Sequence, residues 1–138
     1  MSKAIDDLTE AMKRAEAIRP RVGGFPYLAE VLRQAGVTRN VWSLPSCQSL
    51  FLTKSGPVVM MGDALTTGAV DVPAFDESAL VKALRIDQAG ESTFREFLDA
   101  SWRAGVMRYE VDLESQTVAY QGCRGEEYVE AYPEVNIG

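Results

Sequence analysis

The side chains with the clearest chemical potential are three carboxylates that alternate along one segment. Glu110, Asp112 and Glu114 alternate with apolar residues, so an extended strand would place them on one side about 7 Å apart. Such a row could attract a cation or a basic partner surface. The same alternation is typical of the solvated face of an antiparallel sheet, and it favours that interpretation. Paired carboxylates perform acid–base chemistry only where their surroundings separate their pKa values.

Two arginines and several aromatic side chains form a second group of candidates. Arg39 and Arg108 each follow the end of a predicted helix, where a cation complements the helix dipole. As a symmetric pair they could instead bind an anionic ligand. Tyr109 and Tyr120 belong to an aromatic set that could line a pocket, but this set is expected chiefly in the core or at its rim. The residues predicted to contact a ligand or a partner are Arg39, Arg108, Tyr109, Glu110, Asp112 and Tyr120.

The lack of histidine in the sequence removes several classes of enzyme. With no histidine, Ser-His-Asp and Cys-His nucleophile systems and imidazole metal ligands are excluded. Cys47 and Cys123 lie far apart and outside any CxxC spacing, so they do not predict a metal or redox centre. The glycines show no nucleotide-binding spacing. We therefore expect no catalytic residues, no cofactor and no metal, and the sequence leans away from an enzyme.

Composition indicates an acidic globular chain. Its 138 residues, 46% hydrophobic and 25% charged, suffice for one domain with its own core. The formal net charge of −6 argues against nucleic acid as a partner, because binding to phosphates needs clustered Lys and Arg. We expect a cytoplasmic location and no membrane contact, because the sequence shows neither a bilayer-spanning apolar run nor a secretory signal.

The chain contains the same unit twice. Residues 25–60 match residues 94–129 without a gap, at a shift of 69 residues and with eight identities, where composition alone would give about two. The identical pairs are Phe25/Phe94, Ala35/Ala104, Gly36/Gly105, Val37/Val106, Arg39/Arg108, Leu44/Leu113, Ser46/Ser115 and Gly56/Gly125. We predict one domain, 1–138, built from two repeats at about 1–62 and 70–138 and joined by a short connection. Because the chain already pairs two repeats, we expect a monomer.

Each repeat is predicted to hold two helices followed by a three-stranded antiparallel meander. Ser2, Asp76 and Thr93 are suited to cap helices, and Thr93 has a glutamate at the capping-box spacing. The predicted strands are 40–44, 49–53, 57–61, 106–113, 117–121 and 126–132.

Two further patterns bear on the sheet. The apolar run 58–61 does not alternate, which predicts a strand covered on both faces. The carboxylates expected on a solvated edge are Glu126, Glu127, Glu130 and Glu134.

The sequence thus predicts an α+β fold, an internal duplication in which helices pack on an antiparallel sheet. We expect the two repeats to be related by a pseudo-twofold axis and to shield each other's apolar faces.

Several segments resemble a known family. They are 72–76 (VPAFD), 84–90 (LRIDQAG), 94–98 (FREFL), 104–112 (AGVMRYEVD) and 117–120 (TVAY). They resemble the domain-of-unknown-function family that includes the bacterial prophage proteins YdfO and YbcV, of which some members carry the label phage envelope protein. The resemblance implies an α+β fold, a bacterial or prophage origin and no established activity, and it supplies no catalytic residues. In the first repeat, RNVWS at 39–43 replaces the RYEVD of the second, so only the second repeat could present a site built on that pattern.

The sequence favours a small non-enzymatic binding or accessory protein of bacterial or prophage origin, with a protein or a small ligand as its partner. The alternative is an enzyme or small-molecule carrier with its site between the two repeats. That alternative requires a deep pocket and a carboxylate of raised pKa. A third hypothesis is an acidic mimic of nucleic acid, which requires a continuous negative stripe.

Overall fold

The computed structural model describes residues 2–138, and within them four helices and six strands follow the predicted order. They are α1 Lys3–Ile18, α2 Phe25–Gln34, β1 Val37–Ser43, β2 Gln48–Thr53, β3 Gly56–Met61, α3 Glu77–Gln88, α4 Phe94–Arg103, β4 Arg108–Asp112, β5 Thr117–Gln121 and β6 Glu127–Ala131. The predicted α+β fold is confirmed, with the helix–helix–three-strand pattern present twice. Met1, the first residue of the predicted repeat 1–62, lies outside the described residues.

The predicted caps explain where three helices begin. Ser2 and Asp76 each accept a hydrogen bond from the backbone N–H three residues further on, at 3.1 Å. Thr93 and Glu96 form a complete capping box at the start of α4, which satisfies two N–H groups that a helix leaves unpaired. The equivalent position before α2 is Gly24, which provides no side-chain cap.

All six strands form one antiparallel sheet in the order β3-β2-β1-β4-β5-β6, so β1 and β4 join the repeats at its centre. Val41 lies opposite Glu110, which is 69 residues further along the chain. Arg39 lies opposite Asp112, and Ser43 lies opposite Arg108. These two pairs are equivalent, because the same shift relates Arg39 to Arg108 and Ser43 to Asp112. The pseudo-twofold axis therefore passes between Val41 and Glu110, perpendicular to the sheet.

Local geometry repeats at the same shift. Asn40 lies opposite Phe51 in the first repeat, and Tyr109 lies opposite Tyr120 in the second. The two positive-φ residues that are not glycine, among those described, are also equivalent: Cys47 at 55° and Gln116 at 59°.

The prediction that the repeats shield each other's apolar faces is wrong. The repeats join edge to edge in one sheet, and a twofold axis perpendicular to a sheet leaves both helix pairs on the same side. This helix-covered side is the inner face. The buried residues of all four helices and of the inner face form one core cluster. On the opposite side, the outer face, none of the four helices described in residues 2–138 is packed.

The prediction that 58–61 is covered on both faces is also wrong. β3 is an edge strand, in which Val58 is buried while Met61 is 72% exposed. Val58 is the one buried residue of β3, and Val59 and Met60, like Met61, are exposed. The run of four apolar residues therefore reflects an uncovered edge rather than a central strand.

The connection 62–76 is fastened to the second repeat at both ends. The Arg95 guanidinium donates to the carbonyls of Asp63 and Ala64 at 2.6 and 2.9 Å. At the other end, the Asp76 N–H donates to the Ala104 carbonyl at 2.8 Å. The backbone near Phe75 consequently lies tightly against Gly105.

The two repeats provide a matched pair of glycine substitutions. Gly36 and Gly105 both follow a helix with positive φ, 96° and 87°, and a side chain there costs about 1–2 kcal/mol. A Cβ at Gly105 would lie 2.5 Å from Ala74 O and Phe75 Cα, whereas at Gly36 its nearest neighbour would be a Lys54 side-chain atom at 3.6 Å. We expect Gly105→Ala to lower the free energy of unfolding by about 2 kcal/mol more than Gly36→Ala. Equal losses in chemical denaturation would contradict the packing of the connection.

Two buried serines provide a second matched pair. Within residues 2–138, Ser101 Oγ is the one fully buried side-chain polar atom without a hydrogen-bond partner. Ser49 Oγ, equally buried, accepts a hydrogen bond from Asn40 at 2.9 Å. We expect Ser101→Ala to raise the free energy of unfolding by about 1 kcal/mol and Ser49→Ala to lower it by about 1 kcal/mol. Urea unfolding of both variants measures the two changes, and a loss for Ser101→Ala would show that its hydroxyl is paired.

Candidate functional site

The two helix pairs leave a cleft between them, and the inner face of the central strands forms its floor. The cleft has a volume of about 1230 Å³. Its walls come from the α1–α2 loop and the start of α2 on one side, and from the end of α3 and the start of α4 on the other. Each repeat therefore contributes one wall and part of the floor.

Three aromatic side chains on adjacent strands form the aromatic floor of this cleft: Trp42 on β1, Tyr109 on β4 and Tyr120 on β5. Their positions lie directly opposite one another in the sheet register. The ring centroids of Trp42 and Tyr109 are 6.0 Å apart, and those of Tyr109 and Tyr120 are 5.7 Å apart. Phe94, at the start of α4, meets Trp42 edge to face at 5.2 Å and forms part of the wall.

The two tyrosine hydroxyls of the aromatic floor have no hydrogen-bond partner within the described residues 2–138. Tyr109 and Tyr120 are each 7% exposed, and neither hydroxyl forms a hydrogen bond to another group among residues 2–138, whereas the Tyr128 hydroxyl donates to Glu130 at 2.8 Å. Burial raises the pKa of both hydroxyls, and the nearby negative charge of Asp87 adds to the rise. Both phenols therefore stay protonated and can donate and accept hydrogen bonds in the cleft.

Asp87 is the half-buried acid of the cleft, in the last turn of α3. Burial raises the pKa of its carboxyl, while a hydrogen bond from Ser92 and the positive charge of Arg19 oppose the rise. The Ser92 hydroxyl donates at 3.3 Å, and no ion pair to Asp87 is found in the described range 2–138. This carboxylate is therefore only weakly compensated.

The carboxylate of Glu130, also in the cleft lining, has an arginine counter-ion and two further hydrogen-bond donors. Partial burial opposes ionisation, but hydrogen bonds from Arg85, Gln88 and Tyr128 lower the pKa of its carboxyl overall. The Arg85 and Gln88 nitrogens donate to Glu130 at 2.7 Å. Glu130 lies on an edge strand as predicted, but its side chain is not solvated as expected, because strand alternation turns this residue of β6 toward the inner face.

The six predicted contact residues do not form one site. Tyr109 and Tyr120 lie in the cleft, whereas Arg39, Arg108, Glu110 and Asp112 lie on the outer face. There, Arg39 contacts Glu110 at 2.9 Å and Asp112 at 3.5 Å, and Arg108 contacts Glu110 at 3.8 Å. Arg39 thus pairs with carboxylates of β4 rather than with a helix end. Because neighbouring strand residues point to opposite faces, the two groups are separated by the thickness of the sheet.

Sequence reasoning missed Asp87. One local signal was present, because an acidic side chain in the last turn of a helix opposes the helix dipole and is placed there at some cost. Its burial depends on the opposite wall of the cleft, which the sequence does not reveal.

Residues 2–138 contain neither a metal-binding cluster nor a helix that could span a membrane. No group of three or more Cys, Asp or Glu side chains is arranged there to hold a metal ion. None of the helices in this range combines the length and apolarity needed to cross a membrane.

The raised pKa of Asp87 predicts a pH-dependent stability. The folded protein binds this proton more tightly than the unfolded chain, so stability falls as pH rises from the ordinary pKa of 3.8 through the raised folded value. We expect Asp87→Asn, which keeps an oxygen for the Ser92 hydroxyl, to raise Tm at pH 7. The difference from wild type should vanish below about pH 4. Thermal unfolding across this pH range measures it.

Glu130→Gln is the control, because we expect it to change Tm at pH 7 in the opposite direction. Because the pKa of Glu130 is lowered in the folded state, its carboxylate stabilises the fold above the unfolded pKa, and the variant should lower Tm at pH 7. A Tm gain for Asp87→Asn that does not depend on pH would contradict burial of the Asp87 carboxyl as the cause of its raised pKa.

The part of the sequence that is similar to other proteins includes most of the residues that line the cleft. Residues 19–130 match the family described as Protein of unknown function (DUF1398). Uncharacterized proteins of Mycobacterium bovis and of two Mycobacterium tuberculosis strains, CDC 1551 and H37Rv, are 53% identical to the chain over 135 residues. That alignment covers 98% of this chain and 82% of each relative. The chain therefore belongs to the DUF1398 family of proteins of unknown function.

Proposed function

We propose that this protein is a small bacterial binding protein that holds a compact, largely apolar ligand in the cleft between its repeats. The observation that carries the proposal is the aromatic floor, whose two phenol hydroxyls have no hydrogen-bond partner among residues 2–138 and lie in the same cleft lining as the half-buried carboxyl of Asp87. Polar groups inside a protein are normally paired with another protein group or with ordered water. Groups left free inside a concave apolar site are the ones that orient a ligand.

The size and construction of the cleft support a small ligand rather than a macromolecule. Ligand sites are clefts of about 300–1000 Å³ lined by apolar and aromatic side chains with a few polar groups. A volume of about 1230 Å³ accommodates a molecule of drug-like size. The aromatic floor stands on the central strands of a six-stranded sheet, which fixes its geometry in advance.

An enzyme or carrier that uses the same cleft is the second candidate. A deep pocket that contains a carboxyl of raised pKa is the feature this alternative requires. Asp87 would exchange a proton with the bound molecule, and the phenols of Tyr109 and Tyr120 would hydrogen-bond to it. Binding remains the first choice, because among residues 2–138 the cleft lining contains no Cys, Lys or His side chain.

The proposal extends to a bacterial origin, an accessory role in a prophage and a location in the cytoplasm. The mycobacterial relatives support a bacterial origin, and the resemblance to YdfO and YbcV supports an accessory role in a prophage. Both cysteines are free, which suits a reducing cytoplasm. The outer face mixes Arg39 and Arg108 with its carboxylates, so it does not support a mimic of nucleic acid.

The two tryptophans allow a direct test of the cleft. Trp42 belongs to the aromatic floor, whereas Trp102 is not part of the cleft lining. Trp102→Phe therefore leaves one reporter inside the cleft, and Trp42→Phe leaves one outside it. In a screen of small aromatic compounds we expect binders, with Kd values of about 1 μM to 1 mM, that change the emission of the Trp102→Phe protein.

The same compounds should leave the emission of the Trp42→Phe protein unchanged. Binders that alter only Trp102 would place the ligand elsewhere and overturn the proposal. A screen in which no compound affects Trp42 would overturn it as well.

A further inference from the structure

Resting on the proposed function, we propose that the cleft selects a ligand with an ammonium group. The cationic nitrogen lies between the Asp87 carboxylate and the hydroxyls of Tyr109 and Tyr120, and the apolar body packs against Trp42 and Phe94. The ligand class is thus an organic amine that is positively charged at neutral pH.

The two acids that are partly buried in the cleft differ in their partners. Glu130 has an arginine counter-ion, with the Arg85 nitrogen at 2.7 Å. Asp87 has one long hydrogen bond from Ser92 and, within residues 2–138, no ion pair. A charge held away from water without a partner is costly. A cation that enters the cleft would supply the missing partner, as Arg85 does for Glu130.

The groups that line the cleft together with Asp87 also favour a cation. The phenol oxygens of Tyr109 and Tyr120 can accept N–H hydrogen bonds, and the negative charge of Asp87 acts on both hydroxyls. Aromatic rings attract cations rather than anions, so the aromatic floor and Phe94 add a preference of the same sign. An ammonium group therefore finds a charge, two acceptors and an aromatic wall in one place.

The other charged groups that line the cleft define the competing possibility. Arg19 and Arg21, on the α1–α2 loop, are exposed, and the charge of Arg19 partly offsets that of Asp87. Glu91 and Glu96 are exposed on the opposite wall. If the arginines governed selection, the cleft would prefer a carboxylate to an amine.

Three probes of one shape and different charge separate these possibilities: 2-phenylethylamine, 2-phenylethanol and phenylacetate. Each is titrated at pH 7 into the Trp102→Phe protein, with Trp42 emission as the readout. A hydrogen bond to a charged group contributes about 1.5–3 kcal/mol. We therefore expect the amine to bind at least about tenfold more tightly than the alcohol, and phenylacetate to bind most weakly.

Substitution of the acid completes the test. Asp87→Asn, in the same single-tryptophan background, should bring the affinity for the amine to within about twofold of that for the alcohol, because the charge is lost while the shape is kept. Asp99→Asn removes a carboxylate that pairs with Arg103 on α4 and lies outside the cleft lining. This control should keep the preference for the amine.

The outcomes distinguish this inference from the proposed function. Equal affinities for amine and alcohol, or the same preference in the Asp87→Asn protein, would overturn the selection of a cation while leaving the cleft as a ligand site. A preference for phenylacetate would overturn it in favour of the arginines. If the amine leaves Trp42 emission unchanged, the inference fails. The compound screen with the single-tryptophan variants then decides the proposed function independently.

Discussion

The antiparallel pairing of β1 with β4 is the constraint on which the rest of the structure depends. Its register places Val41 opposite Glu110, so two halves that share one internal geometry become a continuous sheet. The axis that relates them is perpendicular to that sheet, and both helix pairs must therefore cover the same face. The core, the bare outer face and the gap between the helix pairs all follow from this one pairing.

Divergence between the repeats gives the cleft its chemistry. Asn40 and Phe51 occupy the positions that Tyr109 and Tyr120 occupy in the second repeat. The amide of Asn40 is engaged by Ser49 and the Leu50 carbonyl at 2.9 and 3.1 Å, so one half of the floor is internally satisfied. The tyrosine hydroxyls of the other half form no hydrogen bond to any group of residues 2–138. A symmetric scaffold thus carries an asymmetric site.

The sequence predicts the parts of this structure that are encoded locally. Residues identical at one constant shift, such as Gly36 and Gly105, identify two copies of one unit. The capping box at Thr93 and the alternation in β4 predict elements of the second copy. The sequence does not reveal how the copies meet, because an edge strand and a central strand can carry the same apolar residues. The inward position of Glu130 and the burial of Asp87 depend on contacts between distant segments, and local patterns do not record them.

The central pairing also has a kinetic consequence. Within each half, the strands that pair are close along the chain, so Asn40 and Phe51 can meet by closing a short loop. Arg39 and Glu110 are 71 residues apart, and bringing them together restricts a much larger part of the chain. Contacts of such high separation slow folding relative to local ones. The two meanders are therefore expected to form early and separately, with the seam between β1 and β4 closing last, so the floor of the cleft takes shape only in the final step of folding.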